Sequence, residues 1–393
     1  MAARLDRLRS VMTSLDVQAV LTADPINIFY ATGMRNMSVF SMMGAARFAL
    51  ITVEGPVVLW EFAGAEHLAE NSTAVDEVRT APGITAVSGP GYVGVCAQFA
   101  TEISDCLAGA EGLAVERVDH PMTDALRDAG VVLTSATDVF VASRAIKLSA
   151  EIDVMWVAMR RVETAVEHMV EHLRPGLTEI EVWSRFHQHL IATGGEYVST
   201  RLAQAAERTF PYFNEAGPYP VAQGDLFCID TDAVGVGGYA ADFSRTYLCG
   251  DHATPVQRSL HAVAREQLDH NAALLAPGVA FESFAERAWR VPERHAPYGY
   301  YCSAHGLGLS GEYPYLPLYR AGEQYPLDGR FEPGMVICVE SYIGDAEHFR
   351  GVKLEDQYVI TADGADRMSC APFDPSLSGD SSTPTGASDP ARS

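Results

Sequence analysis

Apolar residues recur every three or four positions in "EIDVMWVAMRRVETAVEHMVEHLRPG", where Met155, Ala158, Val162, Ala165, Val166 and Met169 share one face until Pro175 and Gly176 stop the pattern. The spacing predicts one long helix. The following stretch, "TEIEVWSRFHQHLIATGG", opens on Thr178 and Glu181, three apart as in a capping box, and closes on Gly194 and Gly195. A second helix follows. His187 and His189 lie on it two apart, facing different sides, which assigns them to surface or packing rather than to a metal. Earlier, from Leu5 to about Ser143, apolar runs such as "AVLTA" and "ARFALITVEGPVVLW" alternate with helical stretches such as "VGVCAQFATEISDCLAG", as in a modest α/β domain. After Gly224 strands dominate, with one more helix around "TPVQRSLHAVAREQLDHNAALLAPG". Helices gathered before and between strands predict an α+β class.

A chain of 393 residues, 48% hydrophobic, is long enough for two cores. The pattern places an N-terminal α/β domain at 1–145 and a second domain at 146–370. Residues 371–393, ending "DPSLSGDSSTPTGASDPARS", carry too little apolar surface to offset their ordering entropy and are expected to be a disordered tail. Lys+Arg 28 against Asp+Glu 51 gives a net charge of −23, which disfavours nucleic acid and anionic membranes as partners. A small or cationic substrate suits it better. The start, "MAARLDRLRS", leads into no long apolar run, so the sequence predicts neither a signal peptide nor a membrane span, and a cytoplasmic protein. The seven cysteines show no CxxC pairing and read as buried reduced thiols without chemistry.

Against this background "FCIDTDAVGVGGYAADFSRTY" places three acids on predicted core sheet. Asp230 and Asp232, two apart on a strand, share a face, and a three-residue loop at Gly237 and Gly238 sets residue 232 opposite Asp242, β-carbons about 5 Å apart. Such a cluster needs protons, basic partners or bound cations. Arg245 is the nearest cation, and one arginine is too few. A solvated hairpin is the alternative, opposed by Leu226, Phe227, Cys228, Ile229 and Phe243 around the acids. Downstream, His305 sits among glycines in "AHGLGLSGEYP", and Glu340 ends the apolar run "GMVICVE". In "GVKLEDQYVI" the alternation packs Val352, Leu354, Tyr358 and Ile360 on one face and leaves Lys353, Glu355 and Gln357 on the other. Together the Asp, Asp, His, Glu and Glu make an oxygen-rich shell with one imidazole, suited to two divalent ions such as Mn, Fe(II), Co or Zn.

The segments "YAADFSRTY", "AHGLG", "FEPGMVICVE" and "GVKLED", with "IKLSAEIDVM" and "LRPGLTEIEV", resemble the metallopeptidase family of methionine aminopeptidase, prolidase, proline aminopeptidase and creatinase from about Leu5 to Ile360. The resemblance implies a creatinase-like N-terminal domain, a pita-bread catalytic domain, two divalent ions and a homodimer. It makes Asp242, His305, Glu340 and Glu355 metal ligands. Two departures bear on function. The first acid, Asp230, stands one residue farther from Asp242 than the family's first metal aspartate, and the added Asp232 makes a DxD pair. That pattern resembles the metallopeptidase-like dimethylsulfoniopropionate lyase, a di-iron relative using both acids, which favours iron here. Where family peptidases place two substrate histidines, this chain has Pro211 or Tyr212, and Glu312. The lyase base position holds Gly311, so the expected base is Glu312 or a metal-bound hydroxide. Tyr300 is a second catalytic candidate. Tyr298, Tyr300, Tyr301, Tyr313 and Tyr315 around His305 either wrap a sulfonium or serve as core or dimer contacts. Arg35 is the candidate grip on a substrate carboxylate. The resemblance thus implies β-elimination from a small carboxylated substrate, with an Xaa-Pro dipeptidase or aminopeptidase as the alternative. A metal-free binding module ranks last, since the ligand set is whole.

Overall fold

The computed structural model describes residues 1–70, 72–83, 86–107, 109–318 and 327–379. Contacts divide the chain into two units, Met1–Arg144 and Ala145–Ser393. Among the described residues no helix is long and apolar enough to cross a membrane.

The first unit is built on a mixed six-stranded sheet: β1 (Ala19–Thr22), β2 (Phe48–Thr52), β3 (Val57–Glu61), β4 (Glu77–Thr80), β5 (Leu113–Glu116) and β6 (Leu133–Ser135), in the order β4-β3-β2-β1-β5-β6. Helices α1 (Ala2–Ser14), α2 (Pro25–Thr32), α3 (Ser38–Met43), α4 (Tyr92–Cys106), α5 (His120–Asp128) and α6 (Thr137–Ala145) alternate with it. Cys96, Phe99 and Ile103 of α4 bury against Phe48, Leu50 and Trp60 of the sheet. Arg35 lies in this unit with its guanidinium 5.1 Å from the Phe29 ring centre.

The second unit opens with α7 (Ser149–Glu171), which buries the expected stripe from Met155 to Met169. It ends at Glu171, before Pro175. Next, α8 (Glu179–Ala192) starts on the Thr178 and Glu181 capping box. Three sheets follow. The first joins β7 (Tyr197–Val198), β10 (Ala233–Val236) and β11 (Tyr239–Ala241); the second joins β8 (Ala203–Ala205), β9 (Leu226–Asp230) and β12 (Ser244–Leu248). The third runs β14-β13-β15-β16-β17, from β13 (Cys302–Leu307), β14 (Gly311–Pro317), β15 (Val336–Asp345), β16 (Arg350–Ile360) and β17 (Ala365–Arg367). Gly235 is required where β10 crosses α7, since a β-carbon there would stand 2.8 Å from Ala158.

The strands β15 and β16 are buried along nearly their whole length because both faces are covered. Ile337, Val339, Val352 and Leu354 bury against Leu260, Ala264 and Leu268 of α9 (Pro255–Ala272). The opposite face of β16 meets the second sheet, where Ser244 and Thr246 hydrogen-bond to Glu355 and to the Lys353 carbonyl. A short α10 (Phe281–Arg287) completes this core.

Two expectations are corrected. The β10–β11 loop holds two residues, not three, because Val236 pairs with Tyr239; both glycines take positive φ, +63° and +80°, which suits a two-residue hairpin turn. The tail begins later than residue 371. Arg245 donates to the Ala371 carbonyl at 2.7 Å, and α11 (Pro375–Ser378), capped by Asp374, buries Leu377. Phe373 and Leu377 supply the anchoring surface that the polar composition of the segment concealed. Residues 380–393 of that predicted tail lie outside the described residues. All seven cysteines are free.

Candidate metal centre

The second and third sheets bring the six predicted ligand residues together. Asp230 ends β9 and Asp242 precedes β12, while His305, Glu340 and Glu355 stand on β13, β15 and β16. Antiparallel register pairs Glu340 with Glu355 and His305 with Cys338, two residues before Glu340 on the same face. Asp232 arrives by a different route from the one strand alternation predicts. The strand stops at Asp230, and Asp232 sits in the left-handed region at φ +38°. Its carboxylate accepts from Thr200 Oγ1 at 2.6 Å, and its backbone N–H donates to Asp242 Oδ1 at 3.3 Å.

The cation in this cluster is Lys353, not Arg245. Arg245 points the other way, pairing with Asp356 at 2.7 Å behind the sheet. Lys353 has no exposed side chain, and its Nζ lies 2.6 Å from Glu340 Oε2, 3.0 Å from Glu355 Oε2 and 3.4 Å from Asp230 Oδ2. It also donates to Ser244 Oγ at 2.7 Å. Ser244 in turn donates toward Asp230 and Glu355, each at 2.8 Å, and the Tyr212 hydroxyl donates to Asp230 Oδ2 at 2.8 Å. The alternation that set Glu355 inward also set Lys353 inward, so its signal was present in the sequence. What strand period does not tell is what lies opposite.

Protonation reflects the crowding. Burial first, then the charges of Glu355, Asp232 and Asp230, hold the Asp242 carboxyl well above its ordinary range. Burial and then Asp230 push Asp232 up to about 7, and burial and then Glu355 push Glu340 up to about 6. For Glu355 burial works upward, but Lys353 and His305 outweigh it and keep that carboxylate ionised. Burial disfavours the charged His305, yet Glu340 and Glu355 win and raise it.

The residues fit a divalent centre on two counts. With the ligands deprotonated as a metal requires, five carboxylates and a neutral His305 against one ammonium leave four negative charges, the charge of two divalent ions. Second, Glu355 Oε1 is fully enclosed and has no hydrogen-bond partner among the described residues, with His305 Nε2 3.6 Å away and 3.5 Å from Glu340 Oε1. A buried anionic oxygen left unpaired is costly, and a cation between these donors satisfies it. Asp242, His305, Glu355 and the Cys338 thiol each present a donor atom within 4.8 Å of the others. Cys338 was assigned no chemistry from sequence. Burial raises its thiol well above the usual range, so it stays protonated beside the acids.

The other candidates separate into layers. Tyr300 faces the cluster, its ring centre 4.7 Å from Lys353 Nζ, and joins Tyr212, Tyr342 and Cys302 in one buried group. Burial and then Glu340 keep its phenol protonated. Tyr301 lies behind Tyr300 at 4.5 Å and is half exposed, stacked on Tyr315. Tyr298 packs edge-on against Phe210 at 4.7 Å. Tyr313 leaves the group, packing on Phe281 and donating to the Asp328 carbonyl. Glu312 sits in a buried ion pair, Oε2 2.9 Å from Lys147 Nζ, while Oε1 accepts from the Leu309 N–H at 2.9 Å. Gly308 makes room for it, since a β-carbon there would fall 2.4 Å from Oε1. Its engaged oxygens tie down the loop after His305 rather than leaving a carboxylate free to take a proton.

Comparison with known proteins bears directly on this architecture. Residues 153–362 match metallopeptidase family M24, and residues 4–146 match the creatinase/prolidase N-terminal domain. The chain belongs to family M24. This M24 chain is 32% identical over 388 residues to the dimethylsulfoniopropionate lyase DddP of Roseovarius nubinhibens, covering 96% of this chain and 87% of that protein. It is 27% identical over 281 residues to the probable dipeptidase PepE of Mycobacterium tuberculosis, 71% of this chain and 70% of that protein. The solved prolidase of Pyrococcus horikoshii superposes with a TM-score of 0.75 at 23% identity, over 94% of this chain and 99% of that one. That likeness speaks for the fold.

Proposed function

We propose that this M24 protein is a carbon-sulfur lyase that cleaves dimethylsulfoniopropionate to dimethyl sulfide and acrylate. The observation that carries the reading is the 32% identity with a lyase of that name across 96% of the chain. Three features of the site agree with it. The acid pair of Asp230 and Asp232 is held beside Asp242, Tyr212 donates to Asp230 in the region where family peptidases are expected to keep a histidine, and Glu312 is tied to Lys147.

In the reaction a hydroxide of the site takes the proton from the carbon next to the carboxylate and becomes water, the electron pair left behind forms the double bond, and the β-carbon–sulfur bond breaks to release neutral sulfide. Asp230, Asp232, Asp242, His305, Glu340 and Glu355 would hold two divalent ions, with iron proposed from the resemblance. Bound there, the ions supply Lewis-acid polarisation of the substrate carboxylate, which acidifies the neighbouring carbon. The chain's own groups set the stage. Lys353 balances part of the acid charge from behind, and Ser244 and Tyr212 fix the orientation of Asp230. Tyr300 and Tyr212 present aromatic faces to a cation, already seen in their 4.7 and 5.6 Å approach to Lys353 Nζ, and the same kind of face suits a sulfonium. We assign Glu312 to holding the His305 loop.

The test is to incubate metal-loaded protein separately with dimethylsulfoniopropionate and with a panel of Xaa-Pro dipeptides. Dimethyl sulfide in the headspace without proline release supports the lyase. Proline release without sulfide overturns it.

A further inference from the structure

A second group of metal-ligand side chains lies on helices α7 and α8, on residues other than the acid cluster. His168 and His172 stand one helical turn apart at the C-terminal end of α7 and therefore share a face. Glu171 is beside them, and one donor atom from each of the three falls within 4.8 Å of the other two. From α8, His189 lays its ring against His168, with centroids 4.7 Å apart and planes at 30°. The His168 and His172 ring centres are 4.5 Å apart. Local spacing on α8 gave His189 no ligand partner because its partners belong to another helix.

The ring nitrogens are arranged as metal ligands require. His172 Nδ1 lies 2.7 Å from the His168 carbonyl oxygen, so it carries the proton and donates, leaving the Nε2 lone pair for a metal. His189 Nε2 is enclosed by protein and has no hydrogen-bond partner among the described residues. Burial, His172 and His189 together hold His168 below its ordinary pKa, with Arg185 adding to this and Glu171 opposing it. Three aromatic nitrogen bases gathered without a cation repel protons from one another, while a single divalent ion satisfies His168 and His172 together with Glu171.

We propose that His168, His172 and Glu171, with His189 packed against them, bind one divalent transition cation of the imidazole-preferring class, Zn2+, Ni2+ or Cu2+. Imidazole donors favour these ions, whereas the carboxylate-rich cluster suits harder ones such as Mn2+ or Fe2+. Metal–ligand bonds of about 2.0 to 2.2 Å need donors roughly 3 to 3.5 Å apart. The donors must therefore draw inward by about an ångström from their present spread, which Glu171, 73% exposed, and His168, 33% exposed, are free to do. The bound ion clips the last turn of α7 to His172, where the chain leaves the helix, beneath the stacked His189 ring of α8.

The experiment compares full-length wild type with His172→Ala, His168→Gln and, as a control on the same helix pair, His187→Ala, whose ring stacks on Trp183 instead. Each is loaded with Zn2+ or Cu2+, desalted, and read by elemental analysis and by electron paramagnetic resonance of the Cu2+ form. Wild type and the control are expected to hold one ion per chain more than the two cluster variants, with a Cu2+ signal split by more than one nitrogen. Loss of that ion and of its splitting in either cluster variant supports the site. An unchanged metal count and unchanged splitting in both overturns it.

Discussion

Replacing Lys353 with methionine tests the electrostatic account of the centre most directly. The side chain is fully buried, and its ammonium is the cation within 3.4 Å of Glu340, Glu355 and Asp230. Methionine preserves most of the volume and removes the charge. In metal-free protein, deleting one partner of a buried ion pair costs about 3 to 5 kcal/mol, because the remaining carboxylates stay buried without a counter-charge. At about 2 to 4 °C per kcal/mol for a unit of this size, the melting temperature should fall by roughly 6 to 20 °C. Protonation limits the cost, since the acids can take up protons, so the loss is smaller at pH 5 than at pH 8. In metal-loaded protein two divalent ions leave one acid charge uncovered, against five in the chelated variant, and the loss should shrink to a few degrees. The assay is calorimetry or circular-dichroism melting of wild type and Lys353→Met, each chelated and each metal-loaded. Equal losses in the two states would refute the reasoning, as would a chelated variant that melts with wild type.

Three further outcomes follow from the same geometry. Glu312→Gln should lower the melting temperature by several degrees because it strands the buried Lys147, and adding Lys147→Met should restore most of the loss; a folded Glu312→Gln protein with turnover reduced about 100-fold or more would instead make Glu312 the base. Asp232→Asn should reduce bound metal by elemental analysis, and full metal content in this variant would remove the acid pair from the centre. The third outcome concerns pH. Asp232 at about 7 and Glu340 at about 6 hold their protons longer in the folded metal-free protein than in the unfolded chain, with ordinary values of 3.8 and 4.5. Between about pH 4 and 7 the unfolded chain therefore binds fewer protons, and this contribution to stability is lost as pH rises. Metal displaces those protons, so the gap in melting temperature between loaded and chelated protein should widen from pH 5 to pH 8; a constant gap contradicts the assignment.

Local pattern was enough wherever one element decides the outcome. The α7 stripe, the Thr178 and Glu181 cap and the inward face of β16 follow from periodicity, and the acids were recognisable because charge in an apolar run demands a partner. What escaped depends on contacts between elements distant in the chain. Arg245 and Lys353 are both cations beside the acids in sequence terms, and only the crossing of the second and third sheets decides that Lys353 meets the acids while Arg245 meets Asp356. Glu312 was named as a base candidate without its ion pair, because Lys147 stands 165 residues away in the chain. The backbone placement of Asp232, though not its choice as a ligand, escaped for a different reason. Alternation assumes an unbroken strand, and its left-handed backbone departs from that rule at the residue that matters.

The two sheets that supply the ligands are made far apart in time. Asp230 and Asp242 emerge from synthesis roughly a hundred residues before Glu340 and Glu355, so the earlier acids must wait, solvated or protonated, until the later strands arrive. Cations captured at that moment would act as a late clasp between layers already folded in outline. A cell short of the right metal would then accumulate a chain with its clasp undone, and the supply of ions would govern how long the protein survives as well as whether it works.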